Sequence, residues 1–411
     1  MSAALVSACV GLISAGIIDT AGATSIAAGS PSMSVGGFSG SVTQSEINSF
    51  QSYVQTLTPA TDNIGNYWAQ GDSGEQTKAM GVVYETSGDT AVLDQMVRFC
   101  DAVLSERNDL APAPVGQHVI WTGKVDAVWP NSTTSPIGTG GEQGDPVGHL
   151  GNCARLILQT PSIWNKTVPI GDPHHYGATY LARAKTFVTG GDTAIDKHIL
   201  ARLLNTSNAD RQYFAKDSPY QGGKPVPWNQ QMMFNYGFQN LAIAHQILGD
   251  DPARVTRYDG LVQASVNWFF GQVTKYKDPA GHTAYNWAYT PSATSGEDSN
   301  HGSLDVAGFY RAYLTGRYGI TAAMMTPFGN TFVDVMIKGP QHYAGRVDGT
   351  DGTGHSGPTT WIRSGYLLLA DFRPDAYTTM MSADLTQNGT TGSIDEFSRF
   401  LLVKDRRAHG I

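Results

Sequence analysis

The chain has 411 residues, a formal net charge of −8, 15% charged residues and 41% hydrophobic ones. That length excludes a small single-core module and suits two domains or one large closed architecture. The acidic balance argues against nucleic-acid and acidic-membrane partners. A low charged fraction with 47 glycines and 18 tyrosines fits a loop-rich extracellular protein and not a disordered one.

In chain order, Met1 to Ile18 is apolar and Ala21-Gly22-Ala23 has the small residues of a signal cleavage site. A basic start is missing and Asp19 interrupts the run, so the expectation is an imperfect export signal with secreted or periplasmic location. A Ser/Gly-rich lead follows over Ala28 to Ser41, giving an expected division into residues 1–41 and one catalytic domain over 42–411. No other apolar run reaches membrane-spanning length. Cys9, Cys100 and Cys153 form no C-x-x-C pair. Cys100 and Cys153 are open to pairing, although the position of Cys100 on an apolar stripe suits a buried free thiol. Sequons at Asn131, Asn165, Asn205 and Asn388 are about what chance supplies in so Ser/Thr-rich a chain.

Leu93, Met96, Val97, Cys100, Val103 and Leu104 recur at three- and four-residue spacing with Asp94, Arg98 and Asp101 opposite, which predicts an amphipathic helix capped by Asp89 or Thr90. Tyr258, Leu261, Val262, Ser265 and Phe269 repeat the pattern after Asp251-Pro252. Gly148 to Leu158, Trp228 to Leu248, His301 to Gly316 and Thr359 to Ala370 are instead apolar or small on every side, the mark of a helix buried all round. Pro/Gly/aromatic loops (Asn108 to Gln117, Trp129 to Pro146, Lys216 to Pro227, Tyr276 to Ser299) adjoin the buried helices. Period-2 signals are scarce, Tyr285-Asn-Trp-Ala-Tyr289 being the best. Alternation of the two helix types predicts an all-α fold, an (α/α) toroid of inner and outer helices, with an irregular α-solenoid as second choice. Asp348-Gly-Thr-Asp-Gly-Thr-Gly354 reads as a mobile loop; its carboxylates could hold calcium, but it lacks the other ligands.

Two helix starts carry the candidate chemistry. Trp228-Asn229-Gln230-Gln231 follows Pro225-Val-Pro227, and buried amides there need partners or a ligand, Asn229 being either an N-cap or a substrate contact. Gly296-Glu-Asp-Ser-Asn-His301 opens the next buried helix, where the acids suit the positive helix end and the histidine is less readily explained. His301 and Tyr310 are nine residues apart and lie on opposite faces of a helix, so they converge only if His301 is in the preceding loop. If extended, Tyr285, Trp287 and Tyr289 line one side, with Trp287 as a sugar-stacking platform.

The order of Trp-Asn, an acidic-Ser-x-His start, a tyrosine nine residues after the histidine and a later arginine resembles the (α/α)-toroid polysaccharide lyases. The similarity runs from Trp228 to Arg363, and overall texture is similar to polysaccharide lyase family 38, which includes alginate and glucuronan lyases. In chondroitin and hyaluronan lyases Asn, His, Tyr and Arg form the catalytic set, which implies Asn229, His301, Tyr310 and Arg363 here, with Trp228, Gln230, Tyr285, Trp287, Tyr289, Glu297 and Arg311 around the substrate. Those lyases carry a large β-sandwich for which this chain has no strand pattern. β-Elimination removes the proton at C5 beside a uronic carboxylate, so an amide and a cation must offset that charge while His or Tyr moves protons. No metal or cofactor is required. Two rival readings remain at this level: a toroid glycoside hydrolase using a pair from Glu142, Asp145, Glu297 and Asp298, and a noncatalytic glycan binder using Trp228, Trp287 and Trp361.

Overall fold

Helix starts and stops follow local chemistry in the computed structural model, which describes residues 31–410 except 63, 70, 133, 136, 294, 295, 388 and 391. Helix α1 (Gln44–Val54) opens on a capping box between Thr43 and Glu46. It is followed by α2 (Gly65–Ala69), α3 (Asp72–Ser87) and α4 (Thr90–Ser105). Asp89 caps α4, accepting from the N–H groups of Ala91 and Val92, and the predicted stripe from Leu93 to Leu104 is buried throughout. Next come α5 (Gly144–Leu158) and α6 (Tyr180–Ala194), the latter widening into a π-helical stretch over Ile195–Leu203. A short hairpin of β1 (Leu204–Asn205) and β2 (Tyr213–Phe214) leads to α7 (Trp228–Leu248) and α8 (Pro252–Gln272). A second, β3 (Thr274–Lys277) with β4 (Thr283–Asn286), leads to α9 (Ser299–Thr315) and α10 (Ala322–Asn330). A third, β5 (Ile337–Gly339) with β6 (His342–Tyr343), precedes α11 (Ser364–Leu367), α12 (Tyr377–Asp384) and α13 (Ile394–Ala408).

The protein is mostly helical, as its periodicity predicts. Helices α3, α5, α7, α9, α11 and α13 touch in that order, and α13 returns to α3, so the contacts close on themselves. Between them, α4 lies on α3 and α5, α6 on α5 and α7, α8 on α7, and α10 on α9. Close approach within the cycle requires missing side chains. A Cβ on Gly148 of α5 would overlap the Tyr236 ring of α7, and one on Gly308 of α9 would overlap the Met232 side chain. The join between α1 and α13 is fastened by a buried ion pair, with Lys404 Nζ 2.7 and 2.9 Å from the Glu46 carboxylate oxygens.

Several expectations change. Residues of the presumed lead pack on the helices: Met33 and Val35 turn into the core and Gly36 N donates to Glu46. Buried helix was expected from Thr359, but it starts at Ser364 and passes into a tighter turn over Leu368–Asp371; Thr359 is extended and bridges to Tyr343. Cys100 is a buried free thiol, as its place on the apolar stripe suggests, and so is Cys153. The carboxylates of the 348–354 loop are engaged in pinning it: Asp348 accepts from Thr350, and Asp351 from Gly345 N while facing His342 Nε2 at 3.0 Å. The export-signal reading, Cys9 and the Asn388 sequon fall outside the described residues. Among the described residues no helix is long and apolar enough to cross a membrane.

Candidate active site

Pro227 stands before the first turn of α7 and supplies no side-chain cap, so Asn229 lies inside that turn instead of capping it. Asn229 is buried and its Oδ1 has no hydrogen-bond partner among the described residues. An unmatched buried amide oxygen is costly, which marks this helix start as unusual. Its neighbour Gln231 is fully matched, accepting from Ser265 Oγ and donating to Val226 O, both at 2.7 Å. Gln230 Nε2 donates to the Tyr220 hydroxyl at 2.7 Å.

The start of α9 lies alongside. Trp228 N donates to Tyr289 O, and the Tyr289 ring rests on the His301 ring with centroids 4.8 Å apart. Asp298 is the N-cap: Oδ1 accepts from the N–H groups of Asn300 and His301, each at 3.0 Å, and Oδ2 faces His301 Nδ1 at 2.6 Å. Burial alone would push the Asp298 carboxyl up, but these hydrogen bonds and the imidazole hold it below the usual carboxylate range. Because Nδ1 is committed to Asp298, Nε2 is the nitrogen left to exchange a proton. The His301 side chain is 16% exposed, so solvent reaches it. Burial, then the charges of neighbouring groups including Glu297 and Asp298, raise the Tyr289 phenol well above its ordinary pKa and keep it protonated.

Arg363 caps the other side. It immediately precedes α11, donating through Nη1 to Asn300 Oδ1 at 2.9 Å and through Nε to Ser299 Oγ at 3.2 Å. The starts of α9 and α11 thus bring Tyr289, His301 and Arg363 together, and the backbone of Trp228, the residue before Asn229, joins α7 to Tyr289. No family model matches this sequence, and no curated protein matches it.

Other predicted residues go elsewhere. His301 is in the first turn of α9 and not in the loop before it, so the opposite-face geometry holds and Tyr310 points away. Its hydroxyl donates to Asp371, which also pairs with Arg406 at 2.6 Å. Arg311, one residue on, faces the interior of the helix cycle over the Tyr236 ring. Trp228 is wrapped by Trp268 and Phe269, Trp287 by Phe269 and Phe328, and Tyr285 by Phe270 and Phe328; these three are core, leaving Tyr289 alone of the aromatic trio at the site. Trp361, two residues before Arg363, is 37% exposed and is the one of the three candidate tryptophans with a ring face open to solvent.

The carboxylates divide similarly. Asp145 is buried in an ion pair with Lys78 at 2.8 Å. Glu142 is buried and holds Gly140 N and Gln143 Nε2 at 2.6 and 2.8 Å. Glu297 is 1% exposed, accepts from Asp298 N, and leaves Oε2 unmatched; burial, then the nearby Asp305 and Asp298 charges, push its pKa well up. Glu297, Asp298 and His301 also offer three ligand atoms within 4.8 Å of one another, a spacing able to hold a cation. Asp278, His282 and Asp334 do the same, with Arg373 already 2.7 Å from Asp334. Sequence reading missed Tyr220 and offered Asp298 as a helix cap or a hydrolytic carboxylate, not as the partner that orients His301. The Asp-x-x-His spacing at a helix start was the available signal, since it lets one carboxylate cap the helix and orient the imidazole.

Proposed function

We propose that the closed cycle of helices is an (α/α) toroid and that the protein is a secreted or periplasmic polysaccharide lyase acting on a uronic-acid polymer of alginate or glucuronan type. The observation that carries this reading is the Asp298–His301–Tyr289 arrangement, an oriented imidazole in contact with a protonated phenol. In the proposed reaction the substrate carboxylate lies between the Asn229 amide and the Arg363 guanidinium, which offset the charge that grows as C5 loses its proton. His301 Nε2 takes that proton. The electron pair of the C5–H bond forms the C4–C5 double bond, the C4–O4 bond breaks, and the departing oxygen receives the Tyr289 proton. Tyr289 takes the part that the resemblance gave to Tyr310, because Tyr310 is tied to Asp371. Trp361 supplies the stacking surface.

Hydrolysis by paired carboxylates is less favoured. It needs one ionised and one protonated carboxyl facing the sugar, whereas Glu142, Asp145 and Glu297 are all buried, Asp145 serves Lys78, and both oxygens of Asp298 are taken up by the α9 cap and His301. Incubation with alginate, glucuronan and a neutral glucan, following ultraviolet absorbance and reducing ends together, tests the reading. A lyase raises both signals on a uronide. Reducing ends without absorbance would mean hydrolysis, and neither signal on any polymer would leave a binder.

A further inference from the structure

We propose that the interior of the helix cycle holds a second binding site, for a small hydroxycarboxylate the size of one sugar acid, organised around Arg311. A cavity of about 410 Å³ lies there, lined by α3, α5, α7, α9 and α13. That volume lies within the range of small-molecule pockets, roughly 300–1,000 Å³.

The charges around the cavity single out one group. Lys78 pairs with Asp145 at 2.8 Å, Arg155 with Glu85 at 2.7 Å, Arg399 with Asp395 at 2.8 Å, and Arg317 with Asp259. Arg311 is the remaining cation of the lining. Among the described residues it makes no ion pair and no hydrogen bond; the carboxylates that act on it, Asp145 and Asp395, are paired with Lys78 and Arg399, its guanidinium lies over the Tyr236 ring, 4.8 Å from the centroid, and its Nε is buried without a partner. A guanidinium cannot shed its charge to escape burial. It therefore calls for an anion, and its planar fork matches a carboxylate. Gln239 Oε1, on the same lining, is also buried without a partner and needs a donor such as a hydroxyl. A carboxylate on Arg311 and a hydroxyl on Gln239 satisfy both.

This site is separate from the one at the helix starts. Arg311 lies ten residues beyond His301 on α9, about 15 Å along the axis. The inference does not depend on the lyase reading.

The experiment is calorimetric titration of the full chain with D-glucuronate, D-glucose and sulfate, with thermal unfolding in parallel. Glucuronate is expected to bind and raise the melting temperature, with glucose inert and sulfate at least tenfold weaker. Arg311→Met should weaken glucuronate binding at least tenfold while the unliganded protein keeps or gains thermal stability, and His301→Ala should leave this binding unchanged. If Arg311→Met does not fold, Gln239→Leu is expected to weaken binding in the same direction. No binding of glucuronate, binding undiminished in the variant that folds, or glucose or sulfate binding as tightly as glucuronate would overturn the proposal.

Discussion

Glu46 and Glu297 are both buried glutamates at the start of a helix or just before one, and they are treated in opposite ways. Glu46 accepts from Gly36 N, Thr43 N and Lys404 Nζ, so both its oxygens and its charge are matched. Glu297 has one hydrogen bond, an unmatched oxygen, and the carboxylates of Asp298 and Asp305 as neighbours. The join between α1 and α13 holds the fold, and matching its charges stabilises it. The start of α9 leaves the Glu297 oxygen unmatched near His301, an arrangement that costs stability where the other one supplies it.

The comparison can be broken by substitution. The largest effect is expected for His301→Ala, which should lower turnover on a susceptible uronide about 10²–10⁴-fold while circular dichroism and melting stay near those of the parent. Lys404→Met should do the reverse. It leaves Glu46 charged and alone, which costs about 3–5 kcal/mol of stability by denaturant unfolding, with specific activity retained below the transition; adding Glu46→Leu should recover much of the loss. Tyr310→Phe sharpens the division inside α9. Removing its bond to Asp371 should cost about 1–2 kcal/mol, and activity should stay within about twofold if Tyr289 is the phenol that matters. The smallest effect concerns Glu75, whose pKa is pushed up to about 8 by burial, then by Asp395, and is opposed by Lys78 and Arg399. A raised carboxyl binds its proton more tightly in the folded state, so stability declines as pH rises from the ordinary glutamate range to about 8. Glu75→Gln should flatten that decline in melting temperature between pH 5 and 8.5, with the gain largest at the alkaline end.

Helices were legible because their signals are local. The stripe of α4 and the span of α7 follow from spacing, caps and the Pro-rich approach to Trp228. Arg363 came only through the resemblance, and its bonds to Ser299 and Asn300 place it beside His301. The aromatic residues were not legible. Nothing near Trp228 or Trp287 in the chain announces Phe269 and Phe328, which enclose them, so a core tryptophan and a sugar platform look alike until distant segments meet. Tyr310 was a choice between two geometries, and the N-cap at Asp298 decided it by drawing His301 into the first turn.

The contact between Glu46 and Lys404 spans 358 positions of the chain. During synthesis α3 therefore emerges long before α13, its neighbour in the native cycle, has been made. That flank of α3 stays uncovered by its native neighbour until α13 has been made. Closing so long a span slows the last step of folding. Damage to α13 would thus strike the nascent protein first and the folded one second.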